Sequence, residues 1–255
     1  MGRLRTTALV IDRLARRMWR RLASEADTMP IGRLEAWRRR ADRLHAPLTE
    51  FRHAAEARLA RPRLGCNVFH KPPRTDWAWR PELWLRPVTP RGRTAVRAGT
   101  HVARGVALHH DCLRPEIAFR QERSRRVGDL APYAAVIDVF GFDGSYLSVT
   151  VEGPEKGLEG LTRNHILRLE ILLELEAPVE IFTRLNLRHG VNVTQIVQDF
   201  DGTKGKIASE FDLGSAKFDE TLLDHFWVDI IFESPAWNHI RLGDVTLMRY
   251  PRAKF

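Results

Sequence analysis

Reactive side chains are densest in "ALHHDCLRPEIAFRQERSRR", residues 107 to 126, where His109, His110, Asp111 and Cys112 stand side by side. Two chemistries call for those residue types. Imidazole, thiolate and carboxylate groups bind zinc when four of them converge, and a cysteine beside a histidine is a nucleophile when its thiolate is stabilised. The neighbouring residues argue against both. Val106 and Leu108 share parity with His110 and Cys112, so on a strand that pair faces inward while His109 and Asp111 face outward. At most two of the four can reach one ion, no second His or Cys pair offers the missing ligands, and no helix start is placed to stabilise a Cys112 thiolate. The expectation is a strand with a buried Cys112 beside a hydrogen-bonded His110, with no metal and no cofactor.

Carboxylates offer another chemistry. A sandwich glycosidase sets two acids roughly 5 to 9.5 Å apart across a groove. Asp229 and Glu233 lie on the polar side of "DHFWVDIIFES", and Glu170, Glu174 and Glu176 lie on another polar face. Nothing in the spacing selects a pair, so a carbohydrate-active enzyme stands as the alternative to a binding protein. Sugar binding needs aromatic faces next to planar polar side chains. Arg184, Asn186 and Arg188, with Trp227, Asp229, Trp237 and Asn238, are the candidate ligand-binding set. Each also has an ordinary reading as a surface or cross-strand residue.

The elements that would carry these residues read with period two. In "HILRLEILLELE", residues 165 to 176, Leu167, Leu169, Ile171, Leu173 and Leu175 share one face, with Arg168, Glu170, Glu174 and Glu176 on the other. Beyond Pro178, Val179, Ile181, Leu185 and Leu187 resume the inward face, with Arg184, Asn186 and Arg188 outward. Residues 133 to 140 and 145 to 151 alternate likewise, and "GFDGS" between them is hairpin chemistry. Further strands are expected at 191 to 198, 206 to 213, 224 to 233 and 239 to 249, the last with a bulge where parity slips at Gly243-Asp244. Strand follows strand with no long amphipathic helix between, which predicts a mainly β fold, an antiparallel β-sandwich of jelly-roll type. It spans residues 83 to 255.

Residues 1 to 62 read differently, as basic amphipathic helices. Leu4, Ala8, Ile11, Ala15, Met18 and Leu22 recur at helical spacing, while Arg13, Arg16, Arg17, Arg20 and Arg21 fill the remaining circumference. Thr28 is placed to cap a second helix ahead of Pro30, with Ile31, Leu34, Trp37, Ala41 and Leu44 as its stripe; Pro47 is expected to close or kink it before a third helical stretch from Leu48 to Ala60. Residues 63 to 82 form a proline- and tryptophan-rich linker and lead-in. There Trp77 and Trp79, with Trp84 just beyond, serve either as a platform for a sugar or as plugs for the open end of the sandwich.

Charge follows the same division. Residues 1 to 63 hold 16 arginines against 7 acids, residues 64 to 126 hold 13 basic against 5 acidic side chains, and residues 127 to 255 hold 12 against 20. A basic arm of this kind binds anionic lipid or nucleic acid, or packs on a partner with its arginines in solvent. The acidic back half opposes a polyanion, so nucleic acid ranks below a membrane surface. Arg3 and Arg5 precede a short apolar run, Ala8 to Ile11, that Asp12 and Arg13 end too early for a signal peptide. Cys66 and Cys112 form no disulfide framework. A soluble, cytoplasmic chain able to sit peripherally on a membrane is expected.

The runs "TDWAWRPELW", "HHDCLRPEIAFRQ", "DLAPYAAVIDVFGFDGSYLSVTVEGP", "EIFTRLNLRHGVN" and "WVDIIFESPAWNHIRLGDVTLMRYPRA" resemble an uncharacterised bacterial family, defined only as a domain of unknown function, over roughly residues 75 to 253. That resemblance implies a shared domain and brings no catalytic residues. The closing "IRLGDVTLMRYPR" is similar to the last strand of galactose-binding-like and carbohydrate-binding jelly rolls, which implies a ligand-binding sandwich. The expected function is a non-catalytic module that recognises a glycan or a protein through the sandwich and docks through the basic arm.

Overall fold

The computed structural model describes residues 2–60, 71–125, 129–200 and 205–252. The chain divides into two compact units, Met1–Arg52 and His53–Phe255. In the first, helices α1 (Gly2–Ser24) and α2 (Ile31–Ala60) meet where Trp19 and Trp37 pack edge to face, ring centroids 5.8 Å apart, with the Arg40 guanidinium 5.5 Å over the Trp37 ring. The large indole of Trp19 sets the packed side of α1. Ala15, Trp19 and Leu22 are half-buried, and Met18, expected in the stripe, is exposed.

Two details of the arm differ from expectation. Thr28 sits in a short 3₁₀ turn and its hydroxyl donates backward to the Glu25 carbonyl, so Pro30, whose carbonyl accepts from Arg33 and Leu34, opens α2 instead. Pro47 does not end the helix: α2 runs through it to Ala60, and the expected third helix is its continuation. Pro47 is exposed, so water can serve the carbonyl one turn back that loses its N–H partner. No helix among the described residues is long and apolar enough to cross a membrane.

The second unit is built from β1 (Trp77–Trp79), α3 (Glu82–Leu85), β2 (Gly92–Arg93), β3 (Thr100–Ala103), β4 (Val106–His110), β5 (Ile117–Arg123), β6 (Tyr133–Val139), β7 (Tyr146–Glu152), β8 (His165–Leu175), β9 (Ile181–His189), β10 (Asn192–Phe200), β11 (Gly205–Asp212), β12 (Leu223–Glu233) and β13 (Asn238–Pro251). One sheet has the order β11-β8-β13-β6-β5-β2, with β1 also on β13; the other runs β10-β9-β12-β7-β4-β3, and every pairing is antiparallel. Successive strands cross repeatedly between the sheets, β7 to β8 to β9 and β11 to β12 to β13. The architecture is an antiparallel sandwich of jelly-roll type. Between the sheets, the inward sides of β8 (Leu167, Leu169, Ile171, Leu173) and of β9 and β12 (Leu185, Leu187, Val228, Ile230) are all essentially inaccessible to solvent.

The crossings correct one local expectation. "GFDGS" does not turn a hairpin, because β6 belongs to the seven-stranded sheet and β7 to the six-stranded one. Strand parity is the same whether a turn joins neighbours or bridges layers, so the turn residues alone do not distinguish the two.

Strand β13 holds the seven-stranded sheet together and carries the expected bulge, a register shift between Leu242 and Asp244. With Gly243 as the extra residue, Arg241 and Asp244 both face outward while Leu242 and Val245 stay in the core. The outward Asp244 binds Arg80 through two hydrogen bonds of 2.7 Å, and this buried pair fastens the lead-in segment to the sheet. Burial pushes the Asp244 carboxyl above its ordinary value, against the pull of Arg80. Trp77 and Trp79 stack with centroids 6.4 Å apart, Trp77 meets Phe226 edge-on, and the fully buried Trp84 donates to the Leu242 carbonyl. Trp84 is part of the core, and Trp77 and Trp79 pack against it.

Replacing Leu169 with glutamate would place a carboxylate in the middle of this core, opposite Leu247. Leu169→Glu is expected to abolish cooperative folding. A thermal melt followed by circular dichroism checks this, and a wild-type transition would contradict the inward assignment of β8.

Candidate functional site

Antiparallel register lays the outward side chains of the six-stranded sheet in rungs. One runs from Asn186 on β9 through Trp227 on β12 to Glu152 on β7; the next joins Arg184, Asp229 and Thr150. A third holds Phe182, Ile231, Ser148 and, on β4, His109; a fourth pairs Glu233 with Tyr146. From Trp227 to Glu233 these rungs line a groove of about 700 Å³, within the roughly 300–1,000 Å³ of small-molecule sites. Seven residues of β12, Trp227 to Glu233, span it, about 20 Å at the rise of a strand. That length suits an oligomer better than a single ring.

Asp229 is the hub of the floor. It is almost wholly buried, yet it lies on the outward side of β12. One carboxylate oxygen accepts from the Thr150 hydroxyl at 2.7 Å; the other accepts from Arg184 Nε at 3.0 Å, a terminal nitrogen of the same guanidinium at 2.9 Å, and Asn186 Nδ2 at 2.9 Å. Asn186 in turn accepts from Gln195 Nε2 on β10 at 2.9 Å. A side-chain chain therefore crosses four strands, and it fixes Arg184 as a half-exposed donor facing the groove. Trp227 is held from the side by His225, ring centroids 5.5 Å apart.

The stretch with four reactive residues builds one wall of this groove. His109 and Asp111 face outward and His110 and Cys112 are buried, as their parity requires. Asp111 accepts from the Ser145 amide, the Ser145 hydroxyl and the Tyr146 amide, at 2.7, 2.5 and 3.2 Å. The Ser145 hydroxyl, ahead of the backbone amides, holds the Asp111 carboxyl below its usual range. Asp143 answers from the turn, accepting from Cys112 Sγ at 2.8 Å and the Leu113 amide at 3.1 Å, and the thiol is the main cause of its lowered pKa. Between them Gly144 passes so close that a Cβ would stand 2.7 Å from the Cys112 amide nitrogen. The Cys112 thiol is thus a donor in a turn clamp. His110 Nε2 donates to the Val96 carbonyl at 3.0 Å, as a hydrogen bond to a carbonyl requires. No group of three or more His, Cys, Asp or Glu side chains among the described residues is arranged to hold a metal.

Of the residues singled out in the sequence, the structure brings together Arg184, Asn186, Trp227 and Asp229. Arg188 lies one rung beyond Trp227, beside His225, and is paired with Asp224 at 2.8 Å. Trp237 stands exposed in the turn before β13, and Asn238 is buried on the other sheet, where it accepts from the Glu176 and Ala177 amides and donates to the Ala177 carbonyl. Phe182, Ser148, His109 and Tyr146 were not selected. Their outward parity was readable, but which strands adjoin was not. Asp229 and Glu233 are four residues apart on β12, about 13 Å along the strand, wider than the roughly 5–9.5 Å of a glycosidase pair. Glu170 and Glu174 lie on the other sheet, bound to Arg168 and Lys206 and to Arg241 respectively. On the arm, Arg13, Arg16, Arg17 and Arg20 are exposed and Arg21 pairs with Glu25 at 2.7 Å.

Fold and groove together define a two-sheet jelly-roll sandwich with an open, partly aromatic face. The chain belongs to a family described as "Family of unknown function (DUF6478)", whose model matches residues 3–255. No curated protein matches it. Among solved structures it is similar to a putative sugar binding protein from Bacteroides thetaiotaomicron VPI-5482, at 14% identity and TM-score 0.42 over 62% of this chain and 92% of that one. A family 11 carbohydrate-binding module from Clostridium thermocellum aligns at 10% identity and TM-score 0.38, over 62% and 96%. The enzymatically active domain of bacteriophage CBA120 tailspike protein 4 aligns at 6% identity and TM-score 0.40, over 60% of this chain but only 21% of its own length. These are distant likenesses of shape, and the functional reading rests on the groove alone.

Removing the hub is expected to destabilise the floor. Asp229→Ala strands the Arg184 guanidinium and the buried Asn186 amide, and should cost about 2–4 kcal/mol in denaturant unfolding. Asp229→Asn, which keeps an acceptor, should cost less. Equal losses in the two variants would mean that volume, not the polar network, sets the stability.

Proposed function

We propose that the outer face of the six-stranded sheet is a glycan-binding groove and that the chain is a recognition module, not a catalyst. The observation that carries this reading is the pairing of half-exposed aromatic faces, Trp227 and Phe182, with a guanidinium held in place by Asp229. Sugar rings present apolar C–H faces and a rim of hydroxyls, and aromatic planes beside fixed polar groups complement both. Because Asp229 and Asn186 order Arg184 before any ligand arrives, little side-chain entropy is lost on binding. The two acids of the groove suit binding better than hydrolysis, since one is hydrogen-bonded through both oxygens and the other lies about 13 Å away along the strand.

Trp227→Ala is the direct test. Titration calorimetry with the oligosaccharide that binds best should show at least a tenfold loss of affinity, with the melting temperature within a few degrees of wild type. Unchanged affinity would place the ligand elsewhere.

The arm supports a second role, attachment to an anionic membrane surface. Arg13, Arg17 and Arg20 fall on one side of α1 next to the exposed Leu14 and Met18, and arginines near such a surface contribute about 1 kcal/mol each. Full-length protein carrying Arg17→Glu and Arg20→Glu is expected to lose about tenfold or more in sedimentation with phosphatidylserine vesicles at low salt. Equal binding of wild type to neutral and anionic vesicles would remove the membrane role and leave docking on a partner protein.

A further inference from the structure

The polar atoms along the groove are not equally engaged. Asp229 is bonded through both oxygens and Thr150 donates to it. Ser148 is the exception. It is 3% exposed, it lines the groove on the outward side of β7, and its hydroxyl has no hydrogen-bond partner among the described residues. Its neighbours are all larger: His109 and Ile231 opposite it on the flanking strands, and Tyr146 and Thr150 two residues away along its own strand. The serine thus lies low in the groove floor among larger side chains, its hydroxyl covered in the free protein, so a ligand group that meets it is small and displaces part of that cover. A buried hydroxyl left unpaired costs free energy that folding does not recover, and a ligand hydroxyl that reaches it would recover it.

The charges of the groove restrict what can enter. Its charged lining, apart from His109, is one guanidinium and two carboxylates, Arg184 against Asp229 and Glu233. The guanidinium already faces a carboxylate oxygen 2.9 Å away. An acidic sugar would have to compete with that internal carboxylate and would then meet Glu233, with only an already neutralised cation to offset its own charge. Like charges brought together in a partly desolvated groove repel strongly.

Building on the glycan reading, we infer that the groove selects a neutral oligosaccharide and that Ser148 recognises one of its hydroxyls. Ser148 and Trp227 would then mark two contact points on one ligand, four strand residues apart through Ile231, the partner of Ser148 on β12. Sugar hydroxyls act as both donor and acceptor, as the serine does, so either direction of the hydrogen bond satisfies the site.

An array of neutral, uronic, sialylated and sulfated glycans probed with the full-length protein tests the class, and calorimetry with the best neutral hit tests the residue. Hits confined to neutral glycans are expected, with Ser148→Ala weakening binding about tenfold and leaving the melting temperature equal to or above wild type, because the lost hydroxyl stabilises nothing in the free protein. Ser148→Val, which puts methyl groups in place of the hydroxyl, should weaken binding at least as much. Preference for acidic glycans would overturn the neutral class while leaving the groove a glycan site. Wild-type affinity in both Ser148 variants would overturn the hydroxyl contact. Absence of any glycan hit would overturn the glycan reading itself, and this inference with it.

Discussion

A single carboxylate that is buried and yet on the outside of a sheet organises the open face of this sandwich. Without partners, Asp229 would be intolerable where it sits, since an isolated charge out of water costs several kcal/mol or more. Its position is sustained by donors from β7 and β9, and the supporting amide of Gln195 extends the network to β10. The network must close in one register: a slip of one residue in any of these strands would turn its member toward the core. The polar floor therefore fixes strand alignment as well as the orientation of Arg184.

The two sheets use their outward charges differently, which explains why the groove lies on one and not the other. On the seven-stranded sheet, the outward residues of β8 and β13 are absorbed in ion pairs. Arg80 binds Asp244, Arg241 binds Asp129 and Glu174, and Glu170, nearly inaccessible to solvent, is held by Arg168 and Lys206. Such pairs fasten the chain and leave little polar valence for a ligand. Along the groove of the six-stranded sheet, Trp227, Phe182, Tyr146 and His109 stay at least partly exposed; Arg184 and Asp229 form an ion pair in its floor, and Arg188 and Asp224 form another beyond Trp227.

The sequence revealed the layers better than their neighbours. Period-two alternation located the long strands β8, β9, β12 and β13 and predicted the Gly243 bulge, because parity is a local property of one strand. What parity cannot carry is adjacency. The lateral order β10-β9-β12-β7-β4 arises from crossings between sheets, so Ser148 and His109 carry no mark in the sequence of lying beside Ile231. The same limit made "GFDGS" read as a hairpin and left Asn238 among the ligand candidates, although β13 lies in the opposite sheet from Trp227. On the helices, the end expected at Pro47 is absent for a related reason: an exposed proline leaves its freed carbonyl to water, so the helix can continue, and exposure is not legible in the sequence.

The four reactive residues of β4 and the loop after it show how chemical potential is spent on position. Separated onto two faces, they cannot act together on one atom, yet three of them order the surroundings of the groove. Asp111 and Cys112 clasp the turn through Ser145, Tyr146 and Asp143, and His110 ties the strand to the Val96 carbonyl. Only His109 reaches the groove itself. Because Ser145 and Tyr146 line the groove and take their backbone positions from Asp111, the wall nearest Ser148 is fixed by a carboxylate outside the groove. The Cys112 thiol is a hydrogen-bond donor to an aspartate and helps to hold the turn in place.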